Sequence, residues 1–397
     1  MGYVATFCQI SGCSPTAAED LKQDFRILEP LEELEKKGAE HVDELRSAVQ
    51  QLGEDEGKKL EVTVIGPIRS DGSLRYPEEG DFNDRTEAIL AEISDELRLV
   101  PHCRNGQWYE FGSVSTVDEK LDFLISYGPC FFVMSAALPI LFLATDGRMN
   151  LQRLWQLAMK QGRCERSNDY VLTDGVDYGA VEQGMDQFLS PLPSFVGMDP
   201  TETEPSIRQY LKQASTANEF KELLVHEGGF WVWMAPDDFP LNPSLTPPPP
   251  PAVLDSPSGA SPSSAKGLEK LPLDVLLLIA STLPLPSLLA LSSASRTLRH
   301  TLLGTPTSRS RLASAWLTST GRYWQPVRVD LGVDFSSSLL VEEKTVRLGK
   351  VEVLPLAEGD DWWAYLQRCA GSGSMRNRRR IWHTVGTIEK VADEAGV

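Results

Sequence analysis

Leu31, Leu34, Val42, Leu45, Val49 and Leu52 recur at spacings of three, four or their sums. That spacing lays one apolar stripe along an otherwise charged segment and predicts an amphipathic helix that runs on through Gly38. Ile89, Ile93 and Leu97 predict a second helix following Asp84-Arg85-Thr86, and Leu151, Leu154, Trp155 and Ala158 a third that begins near Asn150. Two short β-branched or aromatic runs, Leu60 to Ile65 and Phe230 to Met234, predict strands; the first ends before Gly66-Pro67 and the second follows Gly228-Gly229. The N-terminal region is therefore expected to be a mixed α+β unit. No fixed-period repeat marks a solenoid or a propeller.

From Leu124 to Thr145 there is no charged residue, a length that reaches that of a membrane span. Gly128-Pro129 and Pro139 interrupt it, and no basic cluster flanks it to set an orientation. A buried strand, turn and helix is the favoured reading; membrane association through residues 124–145 is the alternative.

Residues 242–266 are rich in Pro and Ser, with five consecutive prolines from Pro247 to Pro251. Such a tract cannot bury a core and favours extended, semi-rigid conformations, so it divides the chain. After it, Pro272 stands where a helix would start, and Val275, Leu276, Ile279 and Leu283 follow at helical spacing. Pro284-Leu285-Pro286 stops that helix and starts a second with Leu288, Leu289 and Leu291, and a third carries Leu298 and Leu302. A unit of this size with so few polar residues on its first two helices leaves apolar surface uncovered and calls for a partner.

Composition narrows the class of partner. The 397 residues are 41% hydrophobic and 24% charged, enough for a sizeable core, and the formal net charge is −18. That charge disfavours phosphate backbones and anionic lipid. The concentrated positive charge of Arg376, Arg378, Arg379 and Arg380 is read as structural, pairing with the chain's own carboxylates. Trp231, Trp233, Trp324, Trp362 and Trp363 are read as core aromatics. The six cysteines are scattered, and the first residues lack a secretory pattern, so a cytoplasmic or nuclear protein is expected.

The segment Leu271, Pro272, Asp274, Val275, Leu276, Ile279, Leu283, Leu288, Leu291, Ser295, Arg296, Leu298 resembles the F-box family. The family pattern is Leu-Pro-x-acidic-apolar-Leu, spaced apolar positions with Leu-x-x-Leu, then a small residue, a basic one and a bulky apolar one. This chain departs from its commonest form at Pro286-Ser287, Ala294, Ser295 and Leu298. The resemblance implies docking onto the Skp-type adaptor of a cullin-RING ubiquitin ligase. The implied contact residues are Leu271, Pro272, Val275, Leu276, Ile279 and Leu283, then Leu288, Leu289, Leu291, Arg296, Leu298 and Leu302.

Further strings resemble a fungal group of F-box proteins in which the F-box is embedded. These are Ser314-Ala315-Trp316 to Gly321-Arg322-Tyr323-Trp324, Asp361-Trp362-Trp363 to Arg380-Ile381-Trp382, and Asp177-Tyr178-Gly179 with Asp199-Pro200. Members of that group often begin with Cys-x-x-Cys; here Ser11 takes the second position between Cys8 and Cys13. The expected fold is α+β and predominantly helical, with a three-helix F-box between a mixed N-terminal domain and a C-terminal extension. The expected boundaries are an α+β domain and candidate target-recruiting region at 1–241, a linker at 242–266, the F-box with a flanking helix at 267–325, and a Trp/Arg-containing region at 326–397.

Candidate chemistry is sparse. Cys8, Cys13, His102 and Cys103 are the plausible zinc ligands, but the second pair is adjacent in sequence, which strains one tetrahedral site, and no metal or other cofactor is expected. There is no H-E-x-x-H and no G-x-S-x-G, and neither Gly57-Lys58 nor Gly349-Lys350 continues into a phosphate-binding loop. The expectation is a non-catalytic adaptor that links an unknown target protein to the ligase. An interaction scaffold with no ligase role is the rival.

Overall fold

The apolar stripe from Leu31 to Leu52 is carried by two helices, not one. In the computed structural model these are α1 (Phe25–Lys36) and α2 (Val42–Gly57), and the break falls at Gly38, whose φ is 75°. Gly38 donates its N–H to the Glu35 carbonyl and Ala39 to that of Leu34, a left-handed C-terminal cap of the kind glycine favours. The periodicity survives because both helices turn their stripes to one core, where Ile27, Leu31, Val42, Leu45, Val49 and Leu52 are all buried.

The structure describes residues 7–13, 25–57, 59, 61–67, 97–105, 113–116, 122–124, 129–161, 172–179, 181, 203–241, 267–330, 341–342, 350–354 and 361–397. It is α+β and predominantly helical. Two units can be distinguished. The first takes residues 1–237, 329–351 and 376–397, and the second 238–328 and 352–375. The C-terminal stretch thus contributes to both.

In the first unit a six-stranded sheet is built on β1 (Val62–Pro67), flanked antiparallel by β2 (Leu97–Asn105) and β5 (Phe131–Met134). β3 (Ser113–Thr116) and β4 (Asp122–Leu124) extend it beyond β2, and β6 (Val341–Glu342) also pairs with β2. Every residue of β1 and of β5 is buried. Covered on both faces, these strands read as continuous apolar runs and not as alternation. β1 also runs through Gly66-Pro67, where the sequence pattern predicts its end.

The uncharged stretch resolves into β5, a 3₁₀ turn at Ser135–Ala137 and the short α3 (Leu138–Ala144). Phe131, Phe132, Val133, Ile140 and Leu141 are buried in the core of this unit. Among the described residues no helix is long and apolar enough to cross a membrane. α4 (Leu151–Lys160) begins where expected, with Asn150 accepting the Arg153 N–H at 2.8 Å. Its Trp155 donates its indole N–H to the Pro129 carbonyl at 2.8 Å. α5 (Thr203–Gln213) and α6 (Ala217–His226) pack against α1 and α2.

Two sequence expectations require correction or fall outside the description. Phe230 to Met234 is not a strand; Phe230–Trp233 is a 3₁₀ turn entered through Gly229 at φ 85°. All four of its side chains are buried. A turn of three residues brings Phe230 and Trp233 to one edge. The helix expected from Ile89 to Leu97 lies outside the described residues up to position 96, and Leu97 itself opens β2.

Candidate adaptor-docking surface

In the second unit a 3₁₀ turn, Gly267–Lys270, is followed by three short helices: α7 (Leu273–Ser281), α8 (Leu285–Ser293) and α9 (Arg296–Leu303). Proline sets the first two starts. Pro272 and Pro284 occupy the N-cap positions with ψ of 149°, an extended conformation from which the next residue enters the helix. Pro286 lies in the first turn of α8, where a missing N–H costs no helical hydrogen bond. α9 is capped by Ser295, whose hydroxyl accepts the Leu298 N–H at 3.1 Å. The departure from the commoner cysteine at this position therefore supplies a helix cap.

A longer helix, α10 (Pro306–Thr318), packs against α7 and α9. Trp316 on α10 is fully buried and donates its indole N–H to the Leu283 carbonyl at 2.8 Å. Ser319 and Thr320 each donate a hydroxyl to the Ser281 carbonyl at 2.7 Å. These bonds satisfy carbonyls that the C-terminal end of α7 leaves open. Trp316, Tyr323 and Trp324 form an aromatic cluster with centroid separations of 5.2 to 6.0 Å. Gly321 is required beneath it, since a Cβ there would stand 2.1 Å from the Trp316 ring.

The residues implied as adaptor contacts fall into three environments. Leu276, Leu288, Leu298 and Leu302 are buried among the helices of the unit itself. Leu271, Ile279, Leu283 and Leu291 are half-buried, and Pro272, Val275, Leu289 and Arg296 are exposed. A further leucine, absent from that set, is the most exposed large apolar residue described: Leu278 is 67% exposed, against 40% for Val275 and 43% each for Leu268 and Leu289. Helical geometry accounts for it. Leu276 and Ala280 turn inward on one face of α7 and Leu277 and Ser281 toward α10, so Val275, Leu278 and Ile279 share the remaining face. The sequence holds Leu276, Leu277 and Leu278 in a row, and their division between inside and outside follows from where α10 packs.

Covering the exposed part of Leu278, 67% of the residue, would contribute about 1–2 kcal/mol, and the smaller exposed part of Val275 less. Scattered exposed leucines are ordinary, but several on one short helix and its neighbour mark an interaction surface.

Residues 268–304 match the family model of the F-box domain, which coincides with the 3₁₀ turn through α9. The chain carries an F-box domain at these residues. The F-box is a segment that binds Skp-type adaptors, and F-box proteins are in general non-catalytic subunits of ubiquitin ligases. No curated protein and no solved structure matches the chain.

The other candidate residues converge elsewhere, in the first unit. Arg380, on the helix α12 (Gly373–Glu394), is buried and donates to the carbonyls of Ser11 at 2.7 Å and Tyr178 at 2.9 Å. It also donates to Asn377 Oδ1 at 3.1 Å and Cys13 Sγ at 3.3 Å. Arg378, likewise buried, donates to the Pro236 carbonyl, and Arg376 stacks on Trp231 with its guanidinium 4.3 Å from the ring centroid. The structural use is observed for Arg376, Arg378 and Arg380, through carbonyls, a thiol and a ring where pairing with carboxylates was expected. A guanidinium presents five donors and so satisfies several buried backbone acceptors at once.

Cys8 Sγ accepts the N–H groups of Ser11 and Met134, and Cys13 donates its thiol to the Val232 carbonyl at 3.2 Å. Burial pushes the Cys13 thiol pKa up, with Arg380 partly offsetting it. Cys103, on β2, is pushed up to about 12 by burial. Among the described residues no three His, Cys, Asp or Glu side chains gather to hold a metal.

Proposed function

We propose that this chain is the target receptor of a Skp-cullin-RING ubiquitin ligase: the second unit docks on the Skp-type adaptor, and the first recruits a protein to be ubiquitinated. The observation that carries the reading is the exposure of the apolar side chains Val275, Leu278 and Leu289 on a segment that matches the F-box domain. The first unit, with a sheet and helices of its own, is large enough to offer a separate recognition surface. Catalysis then belongs to other subunits, and the contribution of this chain is proximity, since tethering a target beside the ubiquitin-charged enzyme raises its effective concentration.

The test is purification of the full chain from proteasome-inhibited cells, beside a Val275→Asp, Leu289→Asp variant. The wild type is expected to carry the Skp-type adaptor, a cullin and a ubiquitin-conjugated client. The variant is expected to keep the client and lose the other components and the conjugates. A wild-type chain that carries clients but neither adaptor nor cullin would make it a scaffold.

A further inference from the structure

We infer that the footprint of the adaptor extends past the F-box into a neighbouring groove of the same unit, where it seats a bulky apolar side chain with a carboxylate beside it; this rests on the adaptor reading above. The groove is about 720 Å³ and is lined chiefly by Leu277, Pro306, Arg311, Ser314, Ala315 and Trp362. Its walls come from distant parts of the sequence: α7, the first turns of α10, and the start of α11 (Trp362–Gly371), which packs along α10. The Trp362 N–H donates to Ser310 Oγ at 3.3 Å, which fixes the far wall.

Continuity with the F-box face argues for the adaptor as occupant. Asp274 and Leu278 are four residues apart on α7 and therefore neighbours along one edge. Arg311, in the groove wall, donates to Asp274 Oδ1 at 3.0 Å. The exposed Leu278 and the groove wall are thus joined along that edge through Asp274.

The lining states the chemistry of the occupant. Leu277, Ala315, Pro306 and the Trp362 ring offer apolar contact, and Arg311 supplies a cation at the rim. The carboxylate of Asp361 is already engaged as the N-cap of α11, accepting the Ala364 N–H. The ion pair of Arg311 with Asp274 has side chains 53% and 85% exposed, so it contributes little by itself and leaves Arg311 open to a second carboxylate.

Isothermal titration of the purified Skp-type adaptor into the full chain tests this, with Ser314→Gln to fill the groove, Arg311→Glu to reverse the rim, Trp362→Ala to remove the wall, and Leu278→Asp on the F-box face. Each groove variant is expected to weaken binding at least about tenfold, as loss of an interface anchor does, and Leu278→Asp to abolish it. Ser314→Gln and Arg311→Glu are expected to keep the melting temperature of the wild type, which separates lost contact from lost fold. If Leu278→Asp fails to bind while Ser314→Gln and Arg311→Glu bind like the wild type, the groove lies outside the footprint and the adaptor reading still stands. If the wild-type chain does not bind the adaptor, both fall together.

Discussion

Tyr365 donates its phenolic hydroxyl to the backbone carbonyl of Trp324 at 2.7 Å, across 41 residues of sequence, and both side chains are buried. Trp324 in turn donates its indole N–H to the Met375 carbonyl at 2.8 Å. The unit that contains the F-box is therefore completed by residues 361–375, well beyond the three helices that define the family match. Tyr365→Phe leaves a buried carbonyl without its donor, which costs about 1–3 kcal/mol. Urea unfolding of the full chain is expected to show that loss. Adaptor affinity at 25 °C is expected to be unchanged, because phenylalanine keeps the ring that packs against Trp362.

Gly321 offers a sharper probe of the same cluster. With a Cβ at 2.1 Å from the Trp316 ring, Gly321→Ala forces Trp316 or the backbone to move. Overpacking of this kind costs about 1–3 kcal/mol, and a lowered midpoint in thermal unfolding is the expected result. An unchanged midpoint would show that the turn relaxes freely.

In the first unit the buried guanidinium of Arg380 makes Arg380→Lys a non-conservative change. A lysine ammonium is a compact charge that cannot reproduce the planar fork spanning Ser11, Tyr178, Asn377 and Cys13. Leaving even one such acceptor unsatisfied costs about 1–3 kcal/mol. Denaturant unfolding is expected to show Arg380→Lys destabilised by at least that amount, and Arg376→Ala, which removes a partly exposed ring contact, by less.

The alkaline limb of stability reports Cys103. Its folded pKa is raised from 9.0 to about 12 by burial. A raised folded pKa means that the unfolded chain ionises first. The contribution of Cys103 is therefore intact below pH 9 and declines as pH rises from there toward 12. Cys103→Ala is expected to flatten that decline, measured as unfolding free energy against pH. A limb with the wild-type slope would assign the decline to other groups.

How much of this was legible in the sequence depended on whether local rules sufficed. The starts of α7 and α8 follow from Pro272, Pro284 and Pro286, and that of α4 from Asn150, because proline and cap chemistry act within a few residues. The buried strand, turn and helix within residues 124–145 also matched expectation where the structure describes them. The helix expected to run on through Gly38 is broken there, since periodicity persists when two helices share one core. Phe230 to Met234 satisfied strand composition, yet the left-handed Gly229 before it leads the chain into a 3₁₀ turn.

Of the exposed apolar residues in the F-box segment, Val275 and Leu289 were singled out from the sequence and Leu278 was not. Leu277 and Leu278 are indistinguishable by residue type, and α10 decides that the first is covered and the second faces solvent. Arg380 shows the same limit. Its partners are carbonyls from positions 11 and 178, and a backbone acceptor leaves no signature in residue identity.

The most direct test of the central claim is a binding titration of the purified Skp-type adaptor against the full chain and a Val275→Asp, Leu278→Asp variant. The account predicts a stable equimolar complex with the wild type and none with the variant, whose circular dichroism and melting temperature stay unchanged because both positions are exposed. A wild-type chain that does not bind, or a variant that binds equally well, would contradict it.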